Sequence, residues 1–236
     1  MDRFTICVLL YGGDEYAWLH SRCLESLMDG LPRHGADFRI GLHDMTSLST
    51  VMLLNRFRDY FGDLRVTTYG AENIGKYPRM RQMLADVDDC RPYVMWFDDD
   101  SYLKSGECGR DWLDQICRLQ EEGPGVLGSI YRQRLRPTRR AWLEAHPKFR
   151  GKPLDPEQEY FVTGGWWVAP IAMLRELDWP QKELYHNGGD RLLGTLATQN
   201  GYRLIQFNKG VAINADAGGL ESKASRRGIS TKGLGD

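Results

Sequence analysis

Tyr93-Val94-Met95-Trp96-Phe97-Asp98-Asp99-Asp100 is the stretch whose reading decides the fold. Five apolar residues run without a break into three carboxylates. A strand buried on both faces reads this way, and its carboxyl end then delivers acid to one edge of a sheet. On extended backbone, residues i and i+2 share a side, so Asp98 and Asp100 are expected to converge while Asp99 points away. Two carboxylates on one side repel unless a cation lies between them. Mg²⁺ or Mn²⁺ suits such oxygen ligands and completes its shell with water and phosphate, so a metal-bridged diphosphate is the expected ligand. The competing reading is a solvated acidic turn. It weakens because ligands of open α/β sheets bind at the strands' carboxyl ends.

Working outward, strands and helices alternate up to this point. Thr5–Tyr11 is a continuous apolar run stopping at Gly12-Gly13, and Glu15–Met28 carries Leu19, Cys23, Leu24, Leu27 and Met28 at helical spacing. Asp37–His43 reads as a second strand, and Leu53, Leu54, Phe57 and Phe61 mark a second helix. Arg65–Tyr69 is a third strand, and Met80, Met83, Leu84 and Val87 give a third helical face. The pattern predicts an α/β fold with a mainly parallel central sheet flanked by helices. The residues after Tyr11, His43 and Phe97 then face one crevice. Downstream, the spacing predicts a helix over Asp111–Leu119, a strand over Val126–Tyr131 and an apolar segment over Tyr160–Ala169. A short helix follows with Ile171, Leu174 and Leu177, then a helix over Arg191–Asn200 and a strand over Tyr202–Phe207.

The bulk numbers agree with a globular protein. Of 236 residues, 42% are hydrophobic and 27% charged, and the formal net charge is -1, so no whole-molecule charge favours a polyanion. Five dispersed cysteines without a C-x-x-C pair fit a reducing compartment better than a disulfide framework or a zinc site. The Phe4–Tyr11 run is too short for a membrane span, so a cytoplasmic, unanchored protein is expected.

Several short motifs, in order, carry a resemblance. They are the first strand into a helix with Leu24-Glu25-Ser26-Leu27, the second strand ending at His43-Asp44, and Asn73-Ile74-Gly75-Lys76 ahead of a helix. Asp98 and Asp100, Gly164-Gly165, Gly189-Asp190 and Gly201-Tyr202-Arg203 follow. Over almost its whole length the chain resembles the GT-A glycosyltransferases, particularly the family-2-type nucleotide-sugar enzymes. The resemblance implies a GT-A-like single domain spanning 1–236: a nucleotide-sugar-binding half over 1–103, an acceptor-binding half over 104–216, and a mobile basic tail over 217–236. It implies a nucleotide-sugar donor held by Tyr11, Asp44, Lys76, Arg79, Asp98 and Asp99, with Mn²⁺ or Mg²⁺ on Asp98 and Asp100. Asp190 would be the base that deprotonates the acceptor hydroxyl if the anomeric centre inverts, and Gly164-Gly165 would lie on the acceptor side. Plainer roles stand beside these: Asp44 as a turn or cap residue, Asp190 as a helix N-cap, Lys76 and Arg79 as solvated charges, Gly164-Gly165 as a turn.

The chain also departs from the family. Gly189 precedes Asp190 where an acidic pair is usual, which leaves retention open. All five histidines lie at or before His186, so the late histidine that many members place on the metal is lacking, with Asn214 or Asp216 as substitutes.

Between Tyr131 and Lys152 stand eight Lys/Arg against the single acid Glu144. With Tyr131, Trp142, Trp166 and Trp167 nearby, Arg132 and Arg134 could grip a phosphate backbone while the aromatics stack on bases. DNA carrying a hydroxymethylated base is therefore one acceptor class, and it would need base flipping in a duplex. Carbohydrate, lipid-linked and small-molecule acceptors are the others, with the Trp pair packing the core or stacking on a sugar ring as its plainer reading. Two other functions share parts of the pattern. A haloacid-dehalogenase-type phosphatase expects Thr or Val where Tyr102 stands, and a nucleotidyltransferase expects a basic glycine loop where Gly12-Gly13-Asp14-Glu15 is acidic. A nucleic-acid-binding module without a metal would meet repulsion from the three aspartates.

Overall fold

The computed structural model describes residues 3–34, 36–70, 72–134, 137–138, 140–141, 158–184 and 189–213, with backbone alone at 132–134 and 158–161. Trp142, Lys148, Arg150, Lys152, His186, Asn214, Asp216 and the 217–236 tail lie outside the described residues.

Strands β1 (Phe4–Tyr11), β2 (Ala36–His43), β3 (Val66–Tyr69) and β4 (Tyr93–Asp98) alternate with helices α1 (Ala17–Gly30), α2 (Leu48–Phe61) and α3 (Lys76–Ala85). After β4 come β5 (Ser101–Leu103), α4 (Arg110–Glu121), β6 (Gly125–Arg134) and β7 (Gln158–Pro170). The helices numbered here α5 (Ile171–Glu176) and α6 (Gly189–Gln199) precede β8 (Arg203–Gln206) and β9 (Val211–Ile213). Seven strands form one sheet in the order β3-β2-β1-β4-β7-β6-β8, and β5 pairs with β9 in a second, two-stranded sheet. β7 alone runs against its neighbours β4 and β6, and the remaining pairs of the large sheet are parallel. The fold class expected from the alternation, an α/β chain with a mostly parallel sheet between helices, is the observed one.

Side-chain alternation builds a core on each face of the sheet. Ile6, Val8 and Leu10 of β1 and Met95 and Phe97 of β4 pack with Leu24 and Leu27 of α1, Phe57 of α2 and Ile116 of α4. Cys7, Leu9, Val94 and Trp96 face the other way, onto Met80 and Met83 of α3, Leu174 of α5 and Leu192, Leu193 and Leu196 of α6. This period of two is what lets a parallel strand be apolar throughout. At α2 the Ser47 hydroxyl accepts from the Thr50 N–H at 3.3 Å, satisfying one orphan donor of the first turn, and Gly62 ends the helix with φ at 96°.

The second half differs more from expectation. β6 continues past Tyr131 through Arg134 in a long hairpin with β7, so the basic stretch begins as paired strand. Gly164-Gly165 is not a turn between elements; it lies inside β7. The register shifts between Gly128 and Ile130, whose partners are Trp167 and Val162, so Thr163 to Trp166 stand opposite Ser129 alone. Such a bulge bends a strand and re-aims the groups it carries. β5 and β9 were not expected, each being three residues long.

Candidate active site

The parallel strands bring their carboxyl ends to one edge. Tyr11 lies in register with His43, and Leu9 with Asp98. β4 stops at Asp98, and Asp99-Asp100 form a turn before β5. The extended-backbone argument for Asp98 and Asp100 therefore does not hold beyond Asp98, and hydrogen bonds place the three acids instead. Asp98 Oδ2 accepts from Lys76 Nζ at 2.5 Å and Oδ1 from the Trp96 indole N–H at 2.9 Å. Asp99 Oδ2 accepts from the Tyr11 backbone N–H at 3.0 Å and lies 3.6 Å from His20 Nε2. Asp100 Oδ1 accepts from the Ser101 hydroxyl at 3.3 Å.

The electrostatics follow from this placement. Burial, then the charges of Asp98 and Asp99, push the Asp100 carboxyl up to about 7, with Lys76 opposing. Burial also raises Asp98 above the ordinary carboxylate range, against the pull of Lys76 and the Trp96 N–H. Two donors on its two oxygens are the partners of an ionised carboxylate, so we read Asp98 and Lys76 as an ion pair at neutral pH. Burial disfavours the Lys76 ammonium, but Asp98 and neighbouring negative groups outweigh it, and its pKa lies above the ordinary value.

Among the described residues no group of three or more His, Cys, Asp or Glu side chains forms a ready-made metal cage. The residues present nonetheless fit a hard divalent ion that takes much of its shell from water and phosphate. The donors are carboxylate oxygens, and the repulsion felt at Asp100 is what a cation would relieve.

Other donor-side candidates sit differently from one another. Asp44 is exposed just after β2 with φ at 50°, and its Oδ2 accepts from Asn73 Nδ2 at 3.1 Å. Asn73 Oδ1 in turn accepts from the Gly75 N–H at 3.1 Å, so the Asn73–Gly75 segment ties the end of β2 to the start of α3. Tyr11 stacks edge-on against Tyr16 with centroids 5.6 Å apart. Arg79 is not at the crevice surface. It is buried, and its guanidinium donates to the Glu72 carbonyl at 2.8 Å and Gln82 Oε1 at 2.7 Å. Its cation is occupied in bracing the loop ahead of α3 rather than in meeting a diphosphate.

The β7 bulge reaches the same place from the other side. The Gly164 carbonyl accepts from Lys76 Nζ at 3.2 Å and the Gly165 carbonyl from the Ser101 hydroxyl at 2.9 Å. A Cβ on Gly164 would lie 3.5 Å from Lys76 Nζ and 3.6 Å from Asp190 Oδ2, so Lys76 and Asp190 flank this glycine. A Cβ on Gly165 would press to 2.8 Å from the Ser101 hydroxyl, which gives Gly165 a packing role. Asp190 is in the first turn of α6, which begins at Gly189 rather than Arg191, and its Oδ1 also accepts from the Arg191 N–H at 3.0 Å.

The acceptor-side aromatics are elsewhere. Trp166 and Trp167 are each 2% exposed and point to opposite faces of the sheet. Trp166 packs by Trp112 and Phe207, and Trp167 stacks on Trp96 with centroids 6.1 Å apart. They are core residues, so the expected aromatic platform is not built from them. Arg132 and Arg134 are on β6 beyond the bulge, placed by backbone alone. Three residues of the site had no sequence signal pointing to them: His20, Ser101 and Tyr77. His20 is fully buried and bridges Thr50 Oγ1 at 2.9 Å and the Tyr11 carbonyl at 3.1 Å.

No protein-family model matches the sequence, and no curated protein matches it. Solved structures do match its shape. S. aureus TarS, residues 1–349, superposes with a TM-score of 0.56 at 16% identity, covering 88% of this chain and 58% of that one. The mannosyltransferase PcManGT from Pyrobaculum calidifontis, solved with GDP-Man and Mn²⁺, gives 0.57 at 18% identity, covering 86% and 54%. The chain has the GT-A fold. It thus spans somewhat more than half the length of these two GT-A proteins. In the described residues no helix is long and apolar enough to cross a membrane.

Proposed function

We propose that this chain transfers a sugar from a nucleoside-diphosphate sugar to an acceptor hydroxyl, with Mn²⁺ or Mg²⁺ held at Asp98 and Asp100. The observation that carries this reading is the Asp98–Lys76 pair at the carboxyl end of β4, next to an Asp100 carboxyl that the charges of Asp98 and Asp99 push up to about 7, in a GT-A fold. PcManGT, solved with GDP-Man and Mn²⁺, and TarS, solved with UDP-GlcNAc, lend it support through shape. When bound, the cation offsets charge on the departing diphosphate.

The chain's own groups do the rest. Asp44 and Tyr11, at the ends of β2 and β1, receive the nucleotide's base and ribose, with the Asp99 carboxylate fixing the Tyr11 backbone. Lys76, held by Asp98 and the Gly164 carbonyl, keeps a positive charge between the donor carboxylates and Asp190. The acceptor oxygen bonds to the anomeric carbon as the bond to the diphosphate oxygen breaks. The diphosphate leaves with that electron pair, and the acceptor proton passes to Asp190, inverting the centre. In this reading residues 1–103 are the donor half and 104–216 the acceptor half of one domain. The family-2 assignment and a cytoplasmic location belong to the same proposal.

The test is a donor screen. Nucleoside diphosphate release is followed from several nucleotide-sugars with Mn²⁺ or Mg²⁺, beside Asp100→Ala, Asp190→Asn and an EDTA control. Oligosaccharides, small alcohols and hydroxymethylated DNA serve as acceptors. Burial takes Trp166 and Trp167 out of the DNA argument and leaves the exposed Tyr131 as its described aromatic, so stimulation by hydroxymethylated DNA alone is the outcome that would favour DNA. Metal-dependent release lost in Asp100→Ala supports the reading; no release and no donor binding by folded protein sinks it.

A further inference from the structure

Gly189 opens α6 directly against the ring of Tyr77. A Cβ at Gly189 would fall 2.1 Å from Tyr77 Cζ and 2.3 Å from its hydroxyl oxygen, closer than any real side chain approaches. The Tyr77 hydroxyl end therefore lies against the first turn of α6, beside Asp190. Tyr77 itself is 3% exposed and sits edge-on to Trp179 with centroids 5.8 Å apart, so its ring is fixed by packing. Lys76, the residue before it, grips Asp98 and the Gly164 carbonyl. The first two residues of α3 therefore hold the two sides of the crevice, Lys76 the donor carboxylate and Tyr77 the helix that carries Asp190.

We propose that Tyr77 is a positioning residue for Asp190, and that Gly189 is required because any side chain there would push α6 off the Tyr77 ring and carry the Asp190 carboxylate away from Gly164 and Lys76. The inference rests on the proposed role of Asp190 as acceptor-side base. Tyr77 suits the task because its buried ring spans from α3 to the first residue of α6. A displacement on the order of 1 Å at a reacting group lowers rate about 100-fold.

The experiment compares wild type, Y77F, G189A, Y77L and G189A/Y77L. It reads transfer rate at saturating acceptor, KM for the donor, donor binding by calorimetry and thermal unfolding. G189A is expected to lower kcat about 100-fold with donor binding nearly unchanged. G189A/Y77L, in which the smaller side chain makes room, is expected to recover at least about tenfold of that loss, a non-additivity that marks direct coupling. Y77F, which keeps the ring, is expected to retain near-wild-type kcat, whereas Y77L is expected to lower kcat about tenfold at unaltered donor KM, a split that a general loosening of the fold would not give. Additive effects of G189A and Y77L, or a Y77L enzyme with wild-type kcat, overturn the inference while leaving the transferase reading intact. If G189A/Y77L does not fold, the kcat of Y77L against that of Y77F decides. A wild type that transfers to no acceptor, with Gly189–Tyr77 coupling still present in thermal unfolding, sinks the transferase reading and this inference together.

Discussion

Asp100→Asn removes the carboxylate that burial and two like charges disfavour most, and the structure sets the size and sign of the effect. Asp100 rises from an ordinary 3.8 to about 7, in the company of Asp98, Asp99 and Lys76. An acid with a raised folded pKa holds its proton more tightly in the native state than in the unfolded chain. Stability is therefore highest below the unfolded value, falls as pH climbs toward about 7, and then levels. At about 1.4 kcal/mol per unit, a rise of roughly three units sets a ceiling of about 4 kcal/mol. Water at a carboxylate partly open to solvent reduces this to about 2 kcal/mol. The assay is urea unfolding in EDTA at pH 5, 6, 7 and 8. Between pH 5 and pH 8, where about two of those three units are crossed, Asp100→Asn should gain on wild type by about 1 kcal/mol, and excess Mn²⁺ or Mg²⁺ should narrow the gap by stabilising wild type alone. Parallel curves for the two proteins would mean that Asp100 is a solvated turn residue, and the charge argument for a cation would go with it.

Other changes probe the surrounding groups. Lys76→Met strips Asp98 of its cation at a partly buried site and should cost about 2 kcal/mol at pH 7. Because the lone Asp98 carboxyl then titrates higher still, urea unfolding at pH 5 should show a smaller loss than at pH 7. Trp96→Phe keeps an aromatic ring but removes the indole donor to Asp98, and should cost about 1 kcal/mol by the same assay. Gly164→Ala meets only ordinary contact distances, whereas Gly165→Ala presses on Ser101, so thermal unfolding should separate them by about 1–2 kcal/mol.

The first half of the fold was legible in the sequence because each strand of the parallel set is local in its signal: Thr5–Tyr11 and Tyr93–Phe97 are apolar on both faces wherever the chain goes next. The acids were legible for the same reason, as polar residues ending a buried run. Their mutual placement was not, since the Tyr11 N–H, the Trp96 indole and Lys76 arrive from separate elements and decide where each carboxylate points. Arg79 illustrates the limit of reading a charge by type. Helical spacing sets Arg79 beside Met80 and Met83, but only the folded loop supplies the Glu72 carbonyl that holds its guanidinium inside. Gly164-Gly165 looked like a turn because glycine pairs often are, and a bulge within a paired strand has no separate local signature. Trp166 and Trp167 offered aromatic area, and only the sheet's alternation assigns one indole to each core. Tyr77 and Gly189 are distant in sequence and individually unremarkable, so their packing is visible only in three dimensions.

The opposed indoles of Trp166 and Trp167 have a consequence for how this protein can change. Each is riveted into a different layer, and a slip of β7 by one residue would exchange them, forcing both cores to repack at once. The bulge beside them is thereby fixed in place, and with it the two carbonyls that hold Lys76 and Ser101. Variation can instead accumulate farther along β6 and β7, away from the bulge, without disturbing that anchor.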